Sequence, residues 1–172
     1  MDLLKSENDE NVTIEFLEAC QRGNFDKVKN LLRRKEEIDV KLLDKTFTIG
    51  SAVKNGDSEI VELLLKIGVN VNQKGSFMGI RPLHLACARC GNLAIAKILL
   101  DYGADINAIT DGCINQTALH FAVFNKRTWI TKLLLENGCK TEIRTQQGLT
   151  GLEIALVNGF VGIVKLFAFH TK

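Results

Sequence analysis

The chain has 172 residues, of which 46% are hydrophobic and 24% charged, and its 22 basic residues nearly balance its 20 acidic residues. This composition is typical of a globular domain, and so small a net charge gives no broad field to attract nucleic acid or an anionic membrane. The five cysteines show no secreted disulfide pattern, the acidic start MDLLKSENDENVT is unlike a signal peptide, and no apolar run reaches the length of a membrane span. We therefore expect an intracellular protein of the cytoplasm, the nucleus or both.

The first part of the chain predicts a polar tail followed by a capping unit. Residues 1–12 are predicted to be the tail, and a helical unit is expected at 13–45, where EFLEACQRGNFDKVKNLL places two apolar segments around Gly23. Charged side chains are frequent in this unit, which suits the polar outer face that the first member of a stack needs. Its basic residues between 27 and 35 are interrupted, are followed by Glu36 and Glu37 and have no aromatic residues interleaved, so we interpret them as a solvated face rather than a nucleic-acid site.

Three markers then recur along the chain with one period. Apolar triplets begin at residues 63, 98 and 133, and glycines follow them at 68, 103 and 138, so that both markers repeat every 35 residues. Glycines between the apolar segments, at 23, 56, 91 and 159, follow nearly the same spacing, with the missing member near Lys126. Three markers that share one period indicate a tandem repeat of short structural units.

The stretch from residue 82 to residue 103 shows how one unit is expected to fold. Pro82 suits the first turn of a helix, because its missing N–H would lack a helical partner there in any case. A Gly-polar turn reverses the chain, LAIAKILLDY forms a second helix with apolar residues at helical spacing, and Gly103 supplies a left-handed residue that ends it. One such unit cannot bury both helices alone, whereas stacked neighbours can.

The segment RPLHLACARCGNLAIAKILLDYGADINA, residues 81–108, resembles an ankyrin repeat along its whole length. QTALHFAVFNKRTWITKLLLENG, GLTGLEIALVNGFVGIVKLF and SAVKNGDSEIVELLLKIGVNVN resemble the same pattern. The resemblance implies an all-α ankyrin-repeat solenoid, in which helix–turn–helix units are joined by β-hairpin-like finger loops. We place units at approximately 13–45, 46–78, 79–114, 115–147 and 148–172.

Departures from the repeat pattern point to a binding surface on the fingers. The loop from Asn107 to Thr117 is about two residues longer than its counterpart from Glu142 to Thr150, and specificity often lies in such loops. In ankyrin proteins the fingers and the exposed side of the first helices form the concave binding face. The residues that this implies as partner-binding are Phe77, Met78, Ile80, Arg89, Ile114, Gln116, Phe124, Asn125, Lys54, Gln147 and Val157.

Several members of that set are apolar where polar residues would suffice, which favours a binding site. We expect a protein or peptide segment to lie across the fingers, anchored by Phe77 and Phe124, with Arg89 and Lys54 available to an acidic residue. The alternative is that Ile80 and Ile114 lie under their own loops and that Phe124 fills space beside Lys126.

Metal and catalytic chemistry are disfavoured by the residues present. Cys87 and Cys90, with His84, His120 and Cys113, could be imagined as a zinc site, but both histidines occupy the family's helix-start position, where the imidazole commonly bonds loop backbone. Free cysteine packs like a small hydrophobe. No triad or phosphate-loop motif is present, so we expect no enzyme activity, no catalytic residue, no metal and no cofactor.

Asn72 and Asn107 occupy a position that, in ankyrin proteins, looks suited to enzymatic hydroxylation. We interpret them instead as structural residues that bond the loop backbone.

The expected function is therefore protein–protein interaction, as an adaptor, scaffold or targeting module that binds neither nucleic acid nor the membrane interior. Two alternatives remain: a regulatory or substrate-recruiting ankyrin domain of a larger enzyme or channel, and a pathogen or symbiont effector that mimics host ankyrin proteins. The apolar residues of the last unit, between 160 and 169, lack a following unit to cover them, and this favours a chain cut from a longer protein. We expect a monomer, with self-association through that C-terminal end as the alternative.

Overall fold

The computed structural model describes residues 2–88, 92–112 and 114–170, and these residues form helices joined by turns and loops. In chain order the elements are α1 (Asp2–Gln21), α2 (Phe25–Leu31), a 3₁₀ stretch (Leu32–Glu37), α3 (Val40–Lys45), α4 (Thr48–Asn55), α5 (Ser58–Lys66), α6 (Pro82–Cys87), α7 (Leu93–Asp101), α8 (Ala118–Phe124), α9 (Thr128–Glu136), α10 (Gly151–Val157) and α11 (Val161–His170). The expectation of an all-α ankyrin-type solenoid is confirmed.

The helices form two layers because each repeat contributes one helix to each. The first helices of successive units, α1, α4, α6, α8 and α10, pack side by side, and so do the second helices α2, α5, α7, α9 and α11. One continuous apolar core runs between the layers from Val12 to Phe167. Each inner pair is thus buried by its two neighbours, which is why no unit needs a large core of its own.

Local sequence sets where the helices begin and end. Side chains of Asn24 and Asn92 accept hydrogen bonds from the first turns of α2 and α7, respectively, at 3.0 and 3.1 Å. Gly103, with φ +82°, ends α7 in the left-handed conformation. Lys126 takes the place of the missing turn glycine and adopts a left-handed φ of +56° itself. The turn geometry therefore persists where the sequence marker is lost.

The N-terminal segment, which we predict to be a polar tail, is helical, and its separation from the repeats remains a prediction. Residues 2–12 belong to α1, which continues unbroken to Gln21. This stretch contains neither glycine nor proline, so nothing in it interrupts a helix, and its polar composition alone suggests a tail. The unit boundaries remain predictions. Residues 89–91, between α6 and α7, lie outside the described residues.

The last helix, α11, is only partly buried. Ile163 and Phe167 enter the core, whereas Val161 and Phe169 are exposed. The final unit therefore turns some of its apolar residues inward and leaves others at the surface.

Candidate functional site

The loops between units are built as hairpin-like fingers without regular strands in the described part of the chain. The Gly75 N–H donates to the Ile80 carbonyl at 2.8 Å, and the Thr110 N–H donates to the Gln116 carbonyl at 2.9 Å. Neighbouring fingers are also joined to one another, since Asp111 N–H donates to the Met78 carbonyl at 2.7 Å. The fingers therefore form one connected row.

The finger at residues 75–80 ends in a strained turn. The Ile80 N–H donates to the Phe77 carbonyl, and the two residues between them, Met78 and Gly79, both have positive φ, at +55° and +58°. This pattern matches a type I′ turn, which favours Asn-Gly at these positions. A methionine in the left-handed region is unusual, and such strain is often found at functional sites.

An ion pair between fingers holds this turn in place. Lys74 Nζ lies 3.0 Å from Asp111 Oδ1. The Asp111 carboxylate packs so closely on Gly79 that a side chain at residue 79 would overlap it. The tip that carries Phe77 and Met78 is thus fixed by the next finger as well as by its own hydrogen bonds.

A buried histidine caps the start of each of two first helices, and His84 also bonds the next finger. The Arg81 N–H donates to His84 Nδ1 at 3.0 Å, and His84 Nε2–H donates to the Ala108 carbonyl at 2.9 Å. Thr117 N–H donates to His120 Nδ1 at 3.1 Å. Burial is the main cause that lowers the pKa of both histidines, so that both stay neutral. The predicted structural role of His84 is confirmed by these contacts.

Asparagine side chains join one unit to the next. Asn72 Nδ2 donates to the Gly103 carbonyl at 3.1 Å, and its Oδ1 accepts from the Asp105 N–H at 2.7 Å. Asn107 Oδ1 accepts from the Lys140 N–H, also at 2.7 Å. The interpretation of both asparagines as residues that bond loop backbone is therefore confirmed.

Cys87 behaves as a core residue. Its side chain is fully buried, and burial raises the pKa of its thiol. Cys90 and Cys113, the other cysteines of the disfavoured zinc site, lie outside the described residues, and His84 already uses both ring nitrogens. No group of metal-binding side chains occurs in residues 2–88, 92–112 and 114–170.

The predicted binding residues divide into exposed and half-buried ones. Phe77 is 67% exposed at the finger tip, and Phe124 is 42% exposed at the end of α8. Ile80, Ile114 and Gln116 are half-buried. Arg89 lies outside the described residues. The remaining members of the set are exposed: Met78, Asn125, Lys54, Gln147 and Val157.

The two proposed anchors do not share a pocket. Phe77 lies on a finger, near the start of the first helices, whereas Phe124 is the last residue of α8. A helix of seven residues is about 10 Å long, so a segment that touches both aromatic rings must run along the first-helix layer as well as across the fingers.

Two aromatic residues were missed by the sequence analysis. Phe47, with φ +53°, covers Gly50 at the point where α6 and α8 carry their histidines. Trp129 lies in the first turn of α9 and is 70% exposed. Its position outside the apolar face of α9, beside the buried Ile130 and Thr131, could have marked it as a surface residue.

The architecture and the finger row define a tandem-repeat solenoid of the helix–turn–helix class. A family model for ankyrin repeats, in three copies, matches residues 16–110. The chain belongs to the ankyrin repeat family, whose fold is a non-catalytic protein-interaction fold.

Related proteins share the repeats and differ in what their names say of them. The chain is 30% identical over 154 residues to "Probable 26S proteasome regulatory subunit p28" of Saccharomyces cerevisiae, covering 87% of this chain and 66% of that protein. It is 34% identical over 97 residues to mouse "Protein phosphatase 1 regulatory subunit 27", covering 56% and 62%. It is 34% identical over 118 residues to "Probable E3 ubiquitin-protein ligase XBOS33" of rice, covering 67% and 22%. The chain thus spans less than two thirds of the length of each relative.

No helix in the described part of the chain is both long and apolar enough to cross a membrane.

Proposed function

We propose that this chain is an adaptor, scaffold or targeting module that holds a peptide or protein segment on its fingers and first helices. The observation that carries the proposal is Phe77, which a strained turn at Met78 and an ion pair from Lys74 to Asp111 hold 67% exposed. An Asn-Gly turn would fold the finger with less strain, and an exposed phenylalanine adds nothing to its stability. Contact of the tip with a partner would explain both the strained turn at Met78 and the exposed ring of Phe77.

Phe124 and Val157 extend this surface along the first-helix layer. Both are exposed at the ends of α8 and α10, and those two helices pack against each other. Asn125 and Lys54 add polar contacts at the same ends of the layer. We propose that the bound segment crosses from the finger tip at Phe77 toward Phe124, that the chain acts as a monomer, and that it does so inside the cell.

A regulatory or recruiting role within a larger assembly is a second candidate. The relatives named as a proteasome regulatory subunit and a phosphatase regulatory subunit favour it. In that case the same finger surface contacts the larger protein. If the chain is a pathogen or symbiont effector, the finger surface contacts a host protein.

The test is retention of partner proteins from the native cell by the immobilised chain. We expect Phe77→Ala to lose the retained proteins, and with the purified partner to weaken binding by about 30-fold, which corresponds to the ~2 kcal/mol typical of a central aromatic anchor. Phe169→Ala removes an aromatic ring that is 77% exposed on α11, away from the fingers, and is the matched control.

Met78→Asn separates binding from folding. Asparagine accepts the left-handed conformation, so the variant should be at least as stable as the wild-type chain in urea, yet bind less tightly because the apolar tip is smaller. Unchanged affinity in both Phe77→Ala and Met78→Asn would contradict the proposed surface.

A further inference from the structure

A second exposed cluster lies on the second-helix layer, on helices that the finger surface does not include. α9 packs between α7 and α11. α9 buries Ile130, Leu134 and Leu135, and Trp129 lies outside that buried face. An indole that is 70% exposed contributes little to the core, so its position has to be explained by something other than folding.

The repeat spacing aligns Trp129 with small residues on both neighbouring helices. Ala94 on α7 occupies the position equivalent to Trp129 in the preceding repeat, and Gly162 on α11 occupies it in the following repeat. Ala94 is exposed, and a Cβ at Gly162 would meet nothing within 4 Å. The indole therefore projects between two small residues, Ala94 and Gly162, which leave a shallow trough on each side of it.

The residues just before this row are also apolar on the flanking helices. Leu93 on α7 is 42% exposed and Val161 on α11 is 63% exposed, with Thr128 between them. Leu93, Trp129 and Val161 thus form an apolar row in the first turns of three adjacent helices, in which Trp129 lies one position later in its helix than the other two.

One turn further along each helix, the same register places a lysine. These residues are Lys97, Lys132 and Lys165. Lys132 Nζ lies 5.9 Å from the centre of the Trp129 ring and 3.6 Å from Glu136. Within the described residues, Lys97 and Lys165 have no carboxylate at ion-pair distance. A row of positive charge thus lies beside the apolar row.

The first helix in the layer to break this pattern is α5. Its residues in the same register are Ser58, Glu59 and Glu62, which are polar and acidic. α7, α9 and α11 therefore carry the apolar and basic rows on three adjacent helices, and the polar and acidic side chains of α5 bound that surface on one side.

We propose that this surface, formed by Leu93, Trp129, Val161, Lys97, Lys132 and Lys165, is a second docking site that takes an acidic protein segment with an apolar side chain beside its carboxylates. The apolar side chain lies in a trough against Trp129, and the carboxylates face the lysine row. Tryptophan is enriched among residues that dominate interface energies, and complementary charge fixes register and partner choice. Exposed apolar side chains beside the lysines favour a protein segment, which supplies both apolar groups and carboxylates, over a polyphosphate as the occupant.

Trp129 is the one tryptophan of the sequence, so intrinsic fluorescence reports directly on this surface. The experiment titrates the chain with a short glutamate-rich peptide that carries a central Leu-Phe pair. We expect a saturable blue shift of the indole emission, because the peptide removes the ring from water. The same peptide with glutamine in place of glutamate should bind at least about fivefold more weakly, since it lacks the charge complementarity.

Matched variants assign the binding to the surface. Lys97→Gln with Lys165→Gln should weaken the acidic peptide at least about fivefold, whereas Lys41→Gln with Lys45→Gln, which removes the same charge from α3, should leave it unchanged. Trp129→Ala, followed with a labelled peptide, should also weaken it. Phe77→Ala with Phe124→Ala should have no effect, which separates this site from the proposed finger surface. All substituted side chains are exposed or half-buried, and circular dichroism checks that each variant is folded.

Four results would overturn the proposal. They are an unshifted indole emission, equal binding of the glutamine peptide, equal weakening by the α3 control, and tighter binding of phosphatidylserine vesicles or single-stranded DNA than of the acidic peptide.

Discussion

At the scale of single residues, the third position of the first helix accepts a hydrogen bond from the backbone just before that helix in three units, and the chain fills the position with different chemistry. His84 and His120 use imidazole in the third and fourth units. In the fifth unit Glu153 accepts from the Thr150 N–H at 2.8 Å and pairs with Arg144 at 2.8 Å, and these contacts lower its pKa. A side chain at this position has to accept the backbone N–H at the helix start, and histidine is one of several residues that can do so.

The lowered pKa values of His84 and His120 predict that the folded chain loses stability in mild acid. Their folded-state pKa values lie below the usual 6.5, so below pH 6.5 the unfolded chain gains protons that the folded chain does not. Stability is therefore complete above about pH 6.5 and falls as the pH drops toward the folded-state pKa. Urea unfolding of the wild-type chain between pH 7.5 and about 5 measures this.

His84→Gln with His120→Gln is the comparison for that measurement. We expect it to be less stable at pH 7.5 and to show a flatter profile down to about pH 5. Glu153 has a lowered pKa and loses its contribution only below the usual carboxyl range, so it falls outside this window. A wild-type profile without a decline, or an equal decline in the variant, would contradict the assignment.

At the scale of elements, the second unit lacks a histidine and is closed by a different pair. Phe47 takes a left-handed backbone ahead of α4 and lays its ring over Gly50, the residue in the histidine register. The same ring passes within 3.1 Å of where a Cβ on Gly75 would lie. An aromatic ring and two glycines thus connect the start of α4 to the next finger.

This arrangement predicts strong coupling between Phe47 and Gly50. Gly50→Ala should destabilise the wild-type chain by about 2 kcal/mol, because the new methyl group overlaps the Phe47 ring. In a Phe47→Ala background the same change should be neutral or stabilising by up to about 1 kcal/mol, because alanine is the better helix former. A double-mutant cycle in urea measures the coupling, and additive effects would show that the ring does not occupy this space.

At the scale of the whole molecule, stability depends on neighbours. Pairs α6–α7 and α8–α9 are flanked on both sides, whereas α10–α11 has a described neighbour on one side and leaves Val161 and Phe169 exposed. In a stack, each unit gains much of its stability from its interfaces.

We therefore expect hydrogen exchange to be slowest in α8 and α9 and faster in α10 and α11. Ile163→Ala should speed exchange in the last pair most and leave α6 largely protected, because the opening is local. Exchange followed by mass spectrometry at neutral pH measures both. Uniform protection along the chain, or uniform loss in the variant, would indicate a single cooperative unit instead.

The local features of the fold follow from the sequence. The 35-residue period, the helix-ending Gly103 and the left-handed turn near Lys126 each depend on residues a few positions apart, so patterns of apolar, small and polar residues are enough to predict them. The exposure of Phe77 and Trp129 on their surfaces can also be inferred from the same periodicity.

The remaining features depend on contacts between units, which only the tertiary structure decides. Asp111 fixes the Met78 turn from the neighbouring finger, the Phe47 ring replaces a histidine through space that Gly50 leaves, and Phe77 and Phe124 lie at different ends of the first-helix layer. Each of these three features involves residues that are distant in the sequence or lie at opposite ends of the first helices. The repeat sequence by itself determined that the helices stack, because no unit can bury its apolar faces alone, whereas the packing of units against one another decided which side chains remain available to a partner.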